Sequence, residues 1–171
     1  MSAAADQARR THRGRWAAVV VVVVLAEVLL ARFAERALLD GPGPDLGVLQ
    51  LRLAYNSGVA FSLGSTAPVW LVTTLTGAVT LGVAVFAWRT TSGQVSSAGF
   101  AAIVAGALGN VLDRATDGVV TDYLHTGWFP TFNLPDVLIT AGVGLLLLAA
   151  LRDPGAKESS EDVPRDPDRS T

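Results

Sequence analysis

Two aspartates near the end of the chain are the residues best suited to chemistry. Asp122 lies between two apolar stretches, and Asp136 lies at the start of the last one. Neither has a cation beside it, whereas Asp113 is followed directly by Arg114. Two carboxylates held close together cannot both ionise, so one keeps a proton while the other acts as a base. Such a pair can activate water against an amide bond without a metal or a covalent intermediate.

The spacing of Asp122 and Asp136 in the sequence does not show that they meet. The residues around them are those typical of a membrane interface: Tyr123, His125, Trp128, Phe129, Phe132 and Asn133. The alternative is therefore an aromatic belt with two solvated loop acids. Composition alone leaves these two interpretations equally open.

Other polar residues lie within or at the ends of apolar stretches. Glu27 lies inside the first one, and a carboxylate near the bilayer centre costs about 2.5 kcal/mol or more. Asn110, Asp113 and Arg114 share one helix face by their spacing. We expect Asp113 and Arg114 to form a structural pair, in which the arginine neutralises a buried acid, rather than a catalytic group.

The composition identifies the surroundings of these groups as a membrane. The chain has 171 residues, of which 50% are hydrophobic and 16% are charged, against about 25% charged in a soluble domain. Between Leu53 and Leu112 the only charged side chain is Arg89. A net charge of −2 gives no basic surface for nucleic acid. The chain has no cysteine and two histidines, so we expect no disulfide, no metal site and no cofactor.

The fold class that follows is an all-α membrane protein with four transmembrane helices and a small extracytoplasmic β-sheet or loop platform. A helix needs about 20 mostly apolar residues to cross the bilayer. The predicted spans are about 16–34, 68–88, 95–112 and 135–151. The first span has the basic start of a signal peptide but no convincing cleavage site, so we expect an uncleaved helix. Small residues at intervals of four in the third span predict a helix-packing surface: Ala98, Ala102, Gly106 and Asn110.

Arginine placement predicts the orientation. Four arginines precede the first span, which favours a cytoplasmic N-terminal segment, 1–15. Four spans within the domain 16–151 then return the chain to the same side, so that 152–171 is predicted to be a disordered cytoplasmic tail. The segments 35–67 and 113–134 face outward. These two segments contain most of the polar residues that are not needed to keep the chain ends in water.

The first outer segment contains a predicted strand. Apolar or aromatic residues alternate with other residues in the pattern of a half-buried strand: Leu49, Leu51, Leu53 and Tyr55. A turn at 56–58 and a return strand from Val59 to Phe61 would complete a small sheet on the outer membrane face. A plain amphipathic loop is the alternative.

Four blocks of residues resemble, in order, the signature blocks of the bacterial signal peptidase II family (lipoprotein signal peptidase). They are Asn56-Ser57-Gly58-Val59-Ala60-Phe61, Gly106-Ala107-Leu108-Gly109-Asn110-Val111-Leu112-Asp113-Arg114, Val119-Val120-Thr121-Asp122-Tyr123 and Phe132-Asn133-Leu134-Pro135-Asp136. Each block is weak alone, but together they make a specific match over about 16–151. The resemblance implies an aspartyl endopeptidase of the bacterial plasma membrane with its active site near the outer face. Such an enzyme cuts the signal peptide from prolipoproteins just before a cysteine that carries diacylglyceryl.

The resemblance also implies roles for individual residues. The catalytic pair falls on Asp122 and Asp136. The supporting or substrate-binding residues fall on Asn56, Asn110, Asp113, Arg114 and Asn133. The chain departs from the family at Glu27-Val28, where Asp-Gln is usual, at Tyr123, where Phe is usual, and at Pro135, where Ala is usual. The implied partners are diacylglyceryl-modified prolipoproteins and membrane lipid. The oligomeric state is left open, with a monomer as the expectation.

Two functions of other kinds compete with this one. A small proton-coupled transporter or channel would also place acids at membrane depth. It would need polar groups along its whole path, which the inner halves of the second and third spans lack. A non-catalytic membrane assembly factor is the other alternative, and it would keep its function without Asp122 and Asp136.

Overall fold

The computed structural model describes residues 3–58, 67–90 and 93–152, and within them it has four long helices and one small sheet. In chain order the elements are α1 (Ala3–Leu38), β1 (Gln50–Asn56), α2 (Val69–Thr90), α3 (Gln94–Asp117), β2 (Val120–His125) and α4 (Leu134–Arg152). The predicted fold class is confirmed. The predicted return strand, Val59 to Phe61, and most of the predicted tail, 153–171, lie outside the described residues.

All four helices are long and apolar enough to cross a membrane. The candidate spans are Arg10–Leu38, Val69–Thr90, Gln94–Asp117 and Leu134–Arg152. In a bilayer the backbone must satisfy its own hydrogen bonds, so even the β-branched run at 19–24 is helical. The side chains of Val22 and Leu29 are largely exposed on the outside of α1. An apolar helix surface of this kind is suited to contact with lipid.

α3 lies at the centre of the bundle and packs against the other three helices. Its contact with α4 depends on glycines. A Cβ on Gly106 would collide with the carbonyl oxygen of Pro135, and one on Gly142 would lie 2.6 Å from the carbonyl oxygen of Gly99. The predicted small-residue surface is therefore present at Gly106, whereas Ala98 is exposed and the neighbouring Gly99 makes the close contact.

Polar contacts show which helix ends lie together. The indole Nε1 of Trp16 donates to the carbonyl oxygen of Ser97 at 3.1 Å. A guanidinium nitrogen of Arg13 donates to the carbonyl oxygen of Trp88 at 3.1 Å. The start of α1, the end of α2 and the start of α3 therefore share one end of the bundle. The sheet and the start of α4 lie at the opposite end.

The sheet joins the segment between α1 and α2 to the segment between α3 and α4. β1 and β2 pair antiparallel, with Ala54 opposite Asp122 and Asn56 opposite Val120. The sequence predicted β1 but not β2, although the β-branched residues of the second block favour a strand. The hydroxyl of Tyr55 donates to the carboxylate of Glu35 at 2.9 Å, which ties β1 to α1. The sheet therefore places Asp122 at the end of the helix bundle where α4 begins.

Candidate active site

Asp136 lies in the first turn of α4, and Asn133 caps that helix. The side-chain oxygen of Asn133 accepts a hydrogen bond from the backbone N–H of Asp136 at 3.0 Å. In return, the backbone N–H of Asn133 donates to Oδ2 of Asp136 at 3.4 Å. This reciprocal arrangement is a capping box with aspartate in place of the usual glutamate. The local sequence thus fixes the position of the Asp136 carboxylate.

Asn133 also holds the second aspartate. Its Nδ2 donates to Oδ1 of Asp122 at 2.9 Å and to Oδ1 of Asn110 at 3.0 Å. Nδ2 of Asn110 donates in turn to Oδ1 of Asp136 at 2.9 Å. We call Asn110 and Asn133 the amide pair. The structure therefore attaches both aspartates to one hydrogen-bonded network, built from α3, β2 and the start of α4.

The two aspartates differ in exposure. Asp122 is 3% exposed, whereas Asp136 is half-buried. Burial raises the pKa of Asp122 from its ordinary 3.8 to about 7, and the nearby negative charge of Asp136 adds to this rise. A hydrogen bond from the side chain of Asn56 acts in the opposite direction on the same pKa. A carboxyl group with a pKa near neutrality can both hold and release a proton under physiological conditions.

Among the described contacts, Asp113 and Arg114 form no direct salt bridge, although the charge of Asp113 acts on the Arg114 guanidinium. Oδ2 of Asp113 accepts a hydrogen bond from the backbone N–H of Thr121 at 2.6 Å. Arg114 is buried, and its guanidinium donates to the carbonyl oxygen of Gly58. Adjacent residues on a helix point in different directions, which explains why the two side chains have separate partners. Asp113 thus holds the start of β2, and Arg114 holds the chain two residues after the end of β1.

Asn56 ends β1 beside Asp122. Its side-chain oxygen accepts a hydrogen bond from the backbone N–H of Gly58 at 3.0 Å, which forms a turn. The same side chain is close enough to Asp122 to affect its pKa. The seven residues to which the resemblance assigned a role are thus found around one site: Asn56, Asn110, Asp113, Arg114, Asp122, Asn133 and Asp136.

Comparison with known proteins identifies the family. The family model described as "Signal peptidase (SPase) II" matches residues 19–152. The chain belongs to the signal peptidase II family. This family is an aspartic peptidase family, so the chain is a hydrolase, as the sequence blocks predicted.

Curated relatives match this signal peptidase II chain over 69% to 93% of their own length. A lipoprotein signal peptidase of Syntrophomonas wolfei is 32% identical over 81% of this chain and 93% of its own length. One from Rhodococcus jostii is 35% identical over 82% of this chain and 75% of its own. One from Allorhizobium ampelinum is 43% identical over 63% of this chain and 69% of its own.

A solved structure described as a bacterial membrane enzyme has the same fold as the peptidase. Its TM-score is 0.73 and its sequence identity 24%, over 86% of this chain and 94% of the other. A second bacterial membrane enzyme matches with a TM-score of 0.67 and 23% identity, over 82% and 94%. These likenesses show the shared fold, and the four apolar helices of this signal peptidase II family member identify it as a multi-pass membrane protein.

The peptidase also uses two residues in ways that the sequence did not indicate. The Tyr123 side chain is buried, and its hydroxyl accepts a hydrogen bond from the backbone N–H of Leu134 at 3.2 Å. Thr121 supplies the N–H that binds Asp113. A backbone N–H donor cannot be recognised from the residue type, so the sequence did not indicate this contact.

Within the described residues, no group of three or more His, Cys, Asp or Glu side chains is arranged to hold a metal ion.

Proposed function

We propose that this peptidase removes signal peptides from diacylglyceryl-modified prolipoproteins, with Asp122 and Asp136 as its catalytic pair. The observation that carries the proposal is the amide pair, which joins the two carboxylates through Asn133 and Asn110. Two carboxyl groups held by one network can share a proton and divide the roles of acid and base. Membership of the signal peptidase II family does not favour a transporter or an assembly factor.

The environments of the two aspartates suggest how these roles are divided. Asp122 is the more deeply buried of the two, and burial raises its pKa to about 7, so it holds the shared proton and donates it to the scissile carbonyl oxygen. Asp136 lies in the first turn of α4, where the helix dipole stabilises a negative charge. It removes a proton from the attacking water. The departing amine then takes up a proton from the pair.

The position of the site fits a substrate that is held at the membrane surface. The network lies at the end of the bundle where α4 begins, next to a loop whose Trp128 is 84% exposed. Tryptophan is enriched where the bilayer meets water. A diacylglyceryl group can remain among lipid and helices while the peptide bond beside its cysteine reaches Asp122 and Asp136. The sheet, with Asn56 at its edge, covers the site and positions the substrate backbone.

The proposed orientation places both termini in the cytoplasm and the catalytic pair near the outer face. Its support is the arginine-rich start of α1, which lies at the end of the bundle opposite the sheet. Reporter tags at both termini should be accessible from the cytoplasm, and a tag at Gly41 from outside. Termini on opposite faces would refute this orientation.

A cleavage assay tests the activity. Purified peptidase is incubated with one prolipoprotein in two forms, with and without diacylglyceryl on the cysteine, and the products are analysed by mass spectrometry. We expect one cut just before the modified cysteine and at least hundredfold slower cleavage of the unmodified form. Equal cleavage of both forms would refute the proposed substrate class. Flux of a solute through proteoliposomes, without cleavage, would favour the transporter.

A further inference from the structure

Glu27 is the most deeply buried acid of the described chain, and neither of its carboxyl oxygens has a hydrogen-bond partner there. Its side chain is 1% exposed. The carboxyl group lies against Gly109 of α3, where an added Cβ would be 2.5 Å from Oε2 of Glu27 and 3.3 Å from Cγ of Pro135. The acid is therefore packed between α1, α3 and the start of α4. The catalytic roles proposed above make no use of it.

A small cavity adjoins this carboxyl group. Its lining includes Glu27 and Ala31 from α1, Asn110 and Asp113 from α3, Tyr123 from β2, and Asn133. The space open to the centre of a water molecule is about 10 Å³, which is roughly what one water requires. The cavity thus lies directly between Glu27 and the amide pair.

The chemistry of the cavity wall favours water as its occupant. A buried water needs about two to four polar partners, and the wall includes the carboxyl groups of Glu27 and Asp113 and the amide groups of Asn110 and Asn133. Nδ2 of Asn110 carries two N–H groups, and in the described contacts one of them is directed at Asp136. An unpaired ionised carboxylate is very costly in an apolar interior. A neutral carboxyl group that hydrogen-bonds to water removes that cost.

We propose that the cavity binds one structural water, which links the neutral carboxyl group of Glu27 to the amide pair. Glu27 is then a positioning residue. It fixes the orientation of Asn110 and Asn133, and through them the two aspartates. This inference rests on the proposed function, because the orientation of the amide pair affects the reaction only if Asp122 and Asp136 are the catalytic residues.

Two variants of equal length separate hydrogen bonding from packing. Glu27→Gln keeps a neutral group that can donate and accept, whereas Glu27→Met fills the space without donating a hydrogen bond. With the lipid-modified prolipoprotein, we expect Glu27→Gln to keep kcat within about twofold. Glu27→Met should lose about tenfold in kcat with KM unchanged, the rate equivalent of about one net hydrogen bond. Val24→Ala is the packing control, since Val24 is buried one turn earlier in the apolar core. Its folded fraction should keep the normal kcat.

Infrared spectroscopy tests the same proposal without turnover. The spectrum of the full-length protein should contain a protonated carboxyl band that is absent from Glu27→Gln and shifts in Asn110→Ala. That shift reports contact between Glu27 and the amide pair, and it remains measurable if Glu27→Met does not fold.

Three results would overturn the inference. They are normal kcat in folded Glu27→Met, equal losses in Glu27→Gln and Glu27→Met, and a Glu27 band that is absent or unaffected by Asn110→Ala. The proposed function has a separate test, because retained activity in Asp122→Asn or Asp136→Asn would refute it whatever the Glu27 variants do. Loss of activity in those variants, with normal kcat in Glu27→Met, would refute the role of Glu27 alone.

Discussion

Nδ2 of Asn133 lies 2.9 Å from Oδ1 of Asp122, although the two residues come from different elements. Asn133 is the N-cap of α4, and Asp122 is in the middle of β2. One side chain therefore sets both where the helix begins and where the strand's carboxylate lies. The stability of the helix start and the geometry of the proposed catalytic pair are coupled through this residue.

This coupling predicts that stability and catalysis can be separated at Asn133. Asn133→Ala removes the helix cap and the donor to Asp122, so it should lose about 1 kcal/mol of stability and at least hundredfold in kcat. Asn133→Ser restores an acceptor for the cap but cannot reach the aspartates as the amide does. Compared with Asn133→Ala, Asn133→Ser should regain most of the lost stability, measured by thermal unfolding in detergent. It should regain little of the lost kcat, measured by the cleavage assay. Recovery of both would contradict a positioning role for Asn133.

The pKa of Asp122 predicts how the rate depends on pH. Above about 7 this carboxyl group loses its proton, and the pair then lacks an acid for the carbonyl oxygen. We therefore expect kcat/KM to fall as the pH rises through about 7. Asn56→Ala removes the hydrogen bond that lowers this pKa, so the fall should move to higher pH. A shift to lower pH would contradict the assignment of the acid.

The same pKa makes a prediction about stability. The folded protein holds the Asp122 proton up to about pH 7, whereas the unfolded chain releases it near 3.8. Between these values the folded state binds more protons, so the free energy of unfolding falls as the pH rises. Asp122→Asn lacks this decline. The difference in apparent Tm, Asp122→Asn minus the unsubstituted protein, should increase between pH 3.8 and 7 and then stay constant. Differential scanning fluorimetry can measure this difference.

Asp113 should affect stability more than turnover. Its carboxylate accepts the N–H of Thr121 at the start of β2, and a hydrogen bond to a charged group contributes about 1.5–3 kcal/mol. Asp113→Ala should therefore lower the Tm, while kcat per folded molecule should change by less than about fivefold. Asp40→Asn, at an exposed aspartate beyond α1, is the matched control and should change neither. A hundredfold loss of kcat in well-folded Asp113→Ala would place Asp113 in the reaction itself.

The sequence predicted the parts of this protein that depend on local pattern. The four spans follow from apolar length, and β1 follows from alternation. The helices extend beyond the predicted spans, however, since α1 reaches Leu38 and α3 reaches Asp117. Polar residues such as Glu35 and Thr116 can continue a helix where it leaves the hydrocarbon, so the apolar pattern ends before the helix does.

Contacts between distant segments were not predictable in the same way. β1 pairs with β2, across two intervening helices, and no periodicity in either strand specifies its partner. The ion pair predicted for Asp113 and Arg114 rested on adjacency, but the two side chains bind a strand N–H and the Gly58 carbonyl. The resemblance to the family indicated which polar residues form the site. Only the three-dimensional structure showed that the amide pair, Asn110 and Asn133, links the two aspartates.

The most direct test of the central claim is the cleavage rate of the two aspartate variants and their combination. Asp122→Asn, Asp136→Asn and the double variant are compared with Asp40→Asn on the diacylglyceryl-modified prolipoprotein, with folding checked by Tm and with a chelator present and absent. Residues that act as one unit lose rate non-additively. Each single variant should therefore be as inactive as the double one, Asp40→Asn should be fully active, and the chelator should have no effect. Near-normal cleavage by either folded single variant, or inhibition by the chelator that added metal reverses, would contradict the account.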